Sequence, residues 1–146
     1  MLTQFGAGAA EKAALATGPS MTTAAITLFA LLLIKHFVCD FVLQTPWQIA
    51  QKGIYGAPGG ILHSGIHVAG TLVALLAVMT PPATILVVLI AEFLIHYHID
   101  WSKEQTVRRL GWKVGARFWN AIGFDQLLHG LTYLAIVVYV EGRVAG

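Results

Sequence analysis

Four pairs of ligand-type side chains recur along this chain at one spacing: His36 and Asp40, His63 and His67, His96 and Asp100, and Asp125 and His129. Each is an i, i+4 pair, and in an α-helix that spacing sets both side chains on one face, about one turn apart. Imidazole and carboxylate together suit zinc, iron or manganese, and ligands projecting inward from several helices are how dimetal bundles are built. The chemistry in view is binding of one or two divalent transition-metal ions and, where a coordination position stays open, activation of water. A lone histidine in an apolar helix is more often a packing residue. Eight ligand-type residues in four matched pairs are hard to attribute to packing.

The elements that must position them are read from composition. Of 146 residues, 57% are hydrophobic and only 11% are charged, against about 25% charged in an ordinary soluble domain. Four stretches have the roughly 20 apolar residues that cross a bilayer: about 21–44, 61–79, 83–101 and 122–140. Lipid offers no partner to exposed backbone, so the expected fold is all-α, a transmembrane four-helix bundle over 21–146. The first stretch is read as a retained helix and not a secretory signal, because it is too long, carries charges, and follows no basic region. Residues 1–20, rich in Ala and Gly, read as a flexible or interfacial leader. The single Cys39 excludes an intrachain disulfide.

Between the stretches lie a loop over 45–60, a tight Thr80-Pro81-Pro82 turn and a loop over 102–121, in which Val107, Leu110, Trp112 and Val114 allow a short interfacial helix. Lys52, Lys103, Arg108, Arg109, Lys113 and Arg117 fall in the first and third connections, against Lys12 and Arg143 on the other side. The positive-inside rule puts those two loops in the cytoplasm and both termini outside.

Depth strengthens the metal reading. Stretches 1 and 3 run toward the cytoplasm and carry their pairs near their ends, whereas stretches 2 and 4 run away and carry theirs near their starts. All four pairs therefore meet near one face of the bilayer. The deeper level is His36, His67, His96 and His129; the shallower, about 6 Å outward, is Asp40, His63, Asp100 and Asp125. Two divalent ions against three aspartates would leave this set with one surplus positive charge, favouring hydroxide or an anionic substrate. The pairs also divide the chain into two similar halves, as in a duplicated helical hairpin.

Other residues extend the site. Glu92 lies one turn deeper than His96 on the same stripe, as a general base, a bridging ligand or a support for a histidine. Asp125 is the second candidate for handling a proton. Gln44 continues the stripe of His36 and Asp40, where it could orient Asp40 or a substrate. Lys52 and Lys103 could bind phosphate-bearing groups, and snorkelling anchors explain them equally well. The direction of Lys35 and any contact of Cys39 with the site stay open.

The segments His36-Phe-Val-Cys-Asp40-Phe-Val-Leu-Gln44-Thr, Lys52, Leu62-His63-Ser-Gly-Ile-His67, His98-Ile-Asp100-Trp-Ser-Lys103 and Asp125-Gln126-Leu-Leu-His129 resemble bacterial and phage membrane proteins of domain-of-unknown-function family 3307. The resemblance runs from about Leu31 to Val140 and implies a small bacterial inner-membrane protein without an established activity. A looser similarity to membrane-bound metal-dependent hydrolases supplies a reaction class by analogy alone. The histidine of the third motif is His98 or His96. Helical spacing favours His96 as the partner of Asp100, since His98 lies about 160° around the helix from it.

Three functions fit these residues: a metal-dependent hydrolase acting on a lipid or membrane peptide, a non-enzymatic metal carrier or sensor, and a haem-binding or complex-associated subunit. The lipid bilayer is the expected partner and a homo-oligomer is compatible with the sequence. Nucleic acid is not expected, having only the short basic loop in its favour.

Overall fold

The structure is a computed structural model that describes residues 22–144. The N-terminal leader and the last two residues lie outside the described residues. Five helices and no strand are formed among those described: α1 (Thr23–Phe37), continued by a π turn (Val38–Val42), α2 (Pro46–Lys52), α3 (Pro58–Ala77), α4 (Pro82–Arg109) and α5 (Ala116–Val144). The α1–π unit, α3, α4 and α5 are long and apolar enough to cross a membrane.

Local chemistry sets the boundaries. Thr22 caps α1, its hydroxyl oxygen accepting from the Ala25 amide at 3.1 Å. Thr45 and Gln48 form a reciprocal capping box at the start of α2. Proline stands in the first turn of α2, α3 and α4, where its missing N–H costs nothing. At the end of α4, Gly111 takes φ 66° and the Trp112 amide reaches back to the Val107 carbonyl at 3.0 Å. The end of α3 has the same geometry, with the Thr80 amide on the Leu75 carbonyl at 3.0 Å, but Met79 holds the left-handed position at φ 54°.

Two connections differ from the sequence expectation. The loop over 45–60 contains α2, which packs on α3 and α4. The loop over 102–121 shrinks to a turn, because α4 runs on to Arg109 and α5 begins at Ala116. Hydropathy ends at the bilayer, but hydrogen-bonded helix does not; Ser102 to Arg109 contains no glycine or proline and keeps its helical bonding. Val107 belongs to α4, and no separate helix forms around Trp112.

The bundle is a ring in which α1 packs on α3 and α5, and α4 packs on the same two helices. Its outer surface is apolar, with Ile34, Phe41, Val73, Leu86 and Val138 exposed. Its interior is divided. One end is an apolar core around Leu28, Leu32, Leu75, Val88, Tyr133 and Val137, and beyond it the Thr22 hydroxyl donates to Glu141 Oε1 at 2.6 Å on the surface. The other end is filled with ionisable side chains. Apolar outside and polar inside reverses the arrangement of a soluble bundle and suits a lipid solvent.

Candidate metal centre

Every aspartate of the chain, and every histidine except His98, is buried at the polar end of the bundle. The deeper histidines form one layer: ring centroids are 3.9 Å apart for His67 and His96, 4.2 Å for His96 and His129, and 5.0 Å for His36 and His129. Below it, Asp40 Oδ1 lies 3.0 Å from His63 Nε2 and 3.4 Å from His67 Nε2. Asp100 Oδ2 lies 3.4 Å from both His63 Nε2 and His96 Nε2, and Asp100 Oδ1 is 3.6 Å from His129 Nε2.

These close pairs are not hydrogen bonds. Asp40 Oδ1, His63 Nδ1 and Nε2, His67 Nε2, both ring nitrogens of His96, Asp100 Oδ2 and His129 Nε2 are buried without a hydrogen-bond partner, the two carboxylate oxygens being offset only by the ammonium of Lys52. Buried polar atoms without partners cost about 1–3 kcal/mol each, and native proteins hold few of them. Donors 2.0–2.1 Å from a tetrahedral zinc ion stand about 3.3 Å from one another, and the imidazole–carboxylate pairs here lie 3.0 to 3.6 Å apart. Asp40, His63, His67 and His96 offer ligand atoms within 4.8 Å of one another, as do His96, Asp100 and His129. The donor set fits one ion in either group, with His96 common to both.

Two expected ligands lie beside these groups. His36 is engaged on both nitrogens: Nδ1 is 2.9 Å from the Tyr133 hydroxyl, and Nε2 is 2.9 Å from Gln126 Oε1 and 3.1 Å from Asp40 Oδ2. With two oxygen acceptors at Nε2, that nitrogen carries the proton and Nδ1 accepts from Tyr133. His36 thus steers Asp40 so that Oδ1 is presented to the centre. Asp125 accepts from Gln126 Nε2 at 3.2 Å through Oδ2, and its Oδ1 lies 3.6 Å from His129 Nε2.

The π turn holds Asp40. Its one extra residue per turn, seen in the Leu43 amide bonded to the Val38 carbonyl at 2.9 Å, widens the end of α1 beside the centre. Gln44 donates to the Asp40 backbone carbonyl at 3.0 Å, so it steadies this turn and not the carboxylate.

Two lysines enter the interior. Lys52, at the end of α2, turns inward and not toward headgroups, with Nζ 2.9 Å from Asp100 Oδ2 and 3.6 Å from Asp40 Oδ1. Its position is fixed because α2 and the following turn are tied to α4, through Arg108 Nη2 donating to the Ala50 carbonyl at 2.9 Å and Gln105 Nε2 to the Gly53 carbonyl at 2.5 Å. Lys35 forms a buried ion pair with Glu92 and donates to the His67 carbonyl at 3.3 Å, with its ammonium 4.5 Å from the centre of the Tyr133 ring. Its stem packs against Gly70, where an added Cβ would stand in ordinary contact, 3.4 Å from Lys35 Cβ. Glu92 thus reaches the histidine layer through Lys35 by Oε1, while its Oε2 is buried without a hydrogen-bond partner. Lys103 pairs with Glu104 at 2.8 Å, and Cys39 is buried with its thiol directed to the Ile66 carbonyl.

His98 is exposed and contacts the Tyr55 hydroxyl at 3.2 Å, whereas His96 joins the centre. Tyr133 and Lys35 were missed by sequence reasoning. Tyr133 was within reach of it, being one further i+4 step along the Asp125–His129 stripe, as Glu92 is along that of His96 and Asp100. Lys35 carried no such signal.

The profile of a protein family of unknown function, DUF3307, matches residues 28–144. No curated protein and no solved structure matches the chain. A match that reaches into all four long helices and takes in every residue of the centre places this chain in the DUF3307 family.

Proposed function

We propose that this is a membrane metalloprotein in which Asp40, His63, His67, His96, Asp100 and His129 hold a divalent transition metal, and that the centre hydrolyses a membrane-associated substrate. The observation that carries the metal reading is the convergence of buried, partnerless nitrogen and oxygen atoms from four helices. Charge supports a single ion. Asp40, Asp100, Asp125 and Glu92 set four negative charges against Lys35 and Lys52, leaving a surplus of two that one divalent cation cancels. The sequence count of three aspartates and two ions omitted both lysines.

When bound, the ion would supply Lewis acidity toward water and toward a phosphoryl or carbonyl oxygen. The chain's own residues do the rest. Asp125 stands at the edge of the ligand groups and lines an open cleft between α4 and α5, so it is placed to take a proton from a nucleophile entering there. Lys52 restrains Asp40 and Asp100 from the α2 side, and His36 orients Asp40. Beyond Tyr133 the interior holds, among the described residues, apolar side chains and the hydroxyls of Thr71 and Thr84 but no ionisable group, which favours a catalytic or sensing role over a transmembrane carrier. We also place α2 and the α4–α5 turn on the cytoplasmic side of a bacterial inner membrane, on the strength of their basic residues. Cytoplasmic activity from a reporter fused after the last residue would reverse that orientation.

The test is metal analysis of the purified protein together with Asp125→Asn, which keeps the size and removes the charge. Near one zinc, iron or manganese per chain, retained by Asp125→Asn while turnover of membrane lipids or peptides is lost, supports the reading. Absence of metal after reconstitution with each ion would leave a histidine network. Metal without any product, and function falling in proportion to affinity in every variant, would leave a sensor.

A further inference from the structure

The cleft beside Asp125 is one end of a longer groove. A cavity of about 700 Å³ and one of about 600 Å³ both lie between α4 and α5 and share Ile95, Ile99 and Leu128, so they join along the seam of the two helices. Three small residues, Ala91, Ala121 and Ala135, are among those that line it. Along α4 it runs from Thr106 to Val87, about 28 Å by helical rise, close to the roughly 30 Å of a hydrocarbon core.

Its two ends differ in chemistry. The half lined by Val87, Leu131 and Ala135 is apolar. The other half carries Ser102, Lys103, Arg117 and Asn120 on its walls and Asp125 where it meets the metal centre. Of the basic residues in this part of the chain, Lys103, which also pairs with Glu104 at 2.8 Å, and Arg117 line that mouth, and residues 102 to 121 carry five basic side chains against the one acid Glu104. A ligand matched to this groove has an acyl chain for the seam and a negatively charged head for the basic mouth.

We propose that the α4–α5 groove binds an anionic phospholipid of the adjoining leaflet, its phosphate between Lys103 and Arg117 and an acyl chain along Ile95, Ile99 and Leu128. The proposal rests on the hydrolytic reading only in making this lipid class the substrate; the binding itself needs no metal. Basic side chains at a membrane surface attract anionic lipid in general. What distinguishes a built site is an acyl slot that continues from the charged mouth, which makes binding sensitive to the slot as well as to the charge.

The test uses the full-length protein in detergent, stripped with EDTA and mixed with equal amounts of phosphatidylglycerol and phosphatidylcholine of the same chains. Retained lipid is counted by native mass spectrometry. Wild type should retain phosphatidylglycerol about tenfold over phosphatidylcholine, and Lys103→Gln with Arg117→Gln should lower that ratio to about twofold or less. Ala135→Trp, filling the slot far from the charges, should reduce the lipid retained per chain. Equal retention of the two lipids by wild type overturns the proposal, as does a ratio unmoved by the double substitution or a count unmoved by Ala135→Trp. Should the double variant not fold, the wild-type ratio and Ala135→Trp still decide. Because metal is removed, lipid selectivity without any metal affinity refutes the metalloprotein reading alone, and metal binding without lipid selectivity refutes this inference alone.

Discussion

Lys52 Nζ lies 2.9 Å from Asp100 Oδ2 and 3.6 Å from Asp40 Oδ1, so one ammonium on a short helix joins carboxylates from α4 and the end of α1. The same oxygens border the atoms best placed to bind an ion. Lysine and metal therefore share the task of neutralising one pair of aspartates.

Removing that lysine makes the metal indispensable. In Lys52→Met the buried carboxylates keep only Lys35 as a counter-charge, and breaking a buried pair from one side costs about 3–5 kcal/mol. The metal-free variant is expected to lose roughly that much stability in detergent, and added zinc or manganese to restore most of it. Thermal unfolding with and without EDTA reads both. Equal loss with and without metal would mean that Lys52 acts by holding α2 in place.

His96 and His36 are neighbours in the layer with opposite roles. His96→Ala removes the one residue common to both ligand groups and should abolish stoichiometric metal. His36→Ala removes only the support of Asp40, so it should weaken affinity about 10–100-fold while keeping the stoichiometry at saturating metal. Metal titration followed by elemental analysis distinguishes them. Loss of stoichiometry in His36→Ala would place its imidazole on the ion.

Lys35 and Glu92 form a pair whose two members need each other. Glu92→Gln should destabilise the protein by about 3–5 kcal/mol, whereas the double change Lys35→Met with Glu92→Leu should recover most of that loss. Denaturation of the four proteins in one detergent gives the coupling. A double variant as unstable as Glu92→Gln would show that the pair holds the histidine layer in a way apolar packing cannot replace.

The α3–α4 turn offers a change outside the centre. Met79 is 88% exposed and holds a left-handed backbone that costs a side-chain-bearing residue about 1–2 kcal/mol. Met79→Gly is expected to raise stability by about 1 kcal/mol without altering metal content. A lower unfolding temperature would mean that the Met79 side chain contributes more than its backbone costs.

The four long helices and the convergence of their i, i+4 pairs were legible in the sequence because the period of a helix and the thickness of a bilayer are fixed quantities. The direction in which Lys52 points was not. It depends on the capping box of Thr45 and on contacts from Arg108 and Gln105, residues 52 or more positions along the chain from the atoms they hold. The hydrogen bonds of His36 were equally hidden, since they depend on Tyr133 and Gln126 reaching its two nitrogens from α5. Periodicity places residues on a face; it does not say which of them satisfy one another there.

The apolar core around Leu28, Leu32, Leu75 and Val137 bears on how an ion would be supplied. An interior without ionisable groups on that side disfavours passage of an ion, so under the metalloprotein reading the ion is supplied from the other aqueous phase. Sites of mixed nitrogen and oxygen donors rank the divalent metals in much the same order, and availability decides which is taken. The occupant of this centre would then report the free-metal pool of a single compartment, and moving the protein to a membrane with a different pool on that side would change the metal without changing a residue.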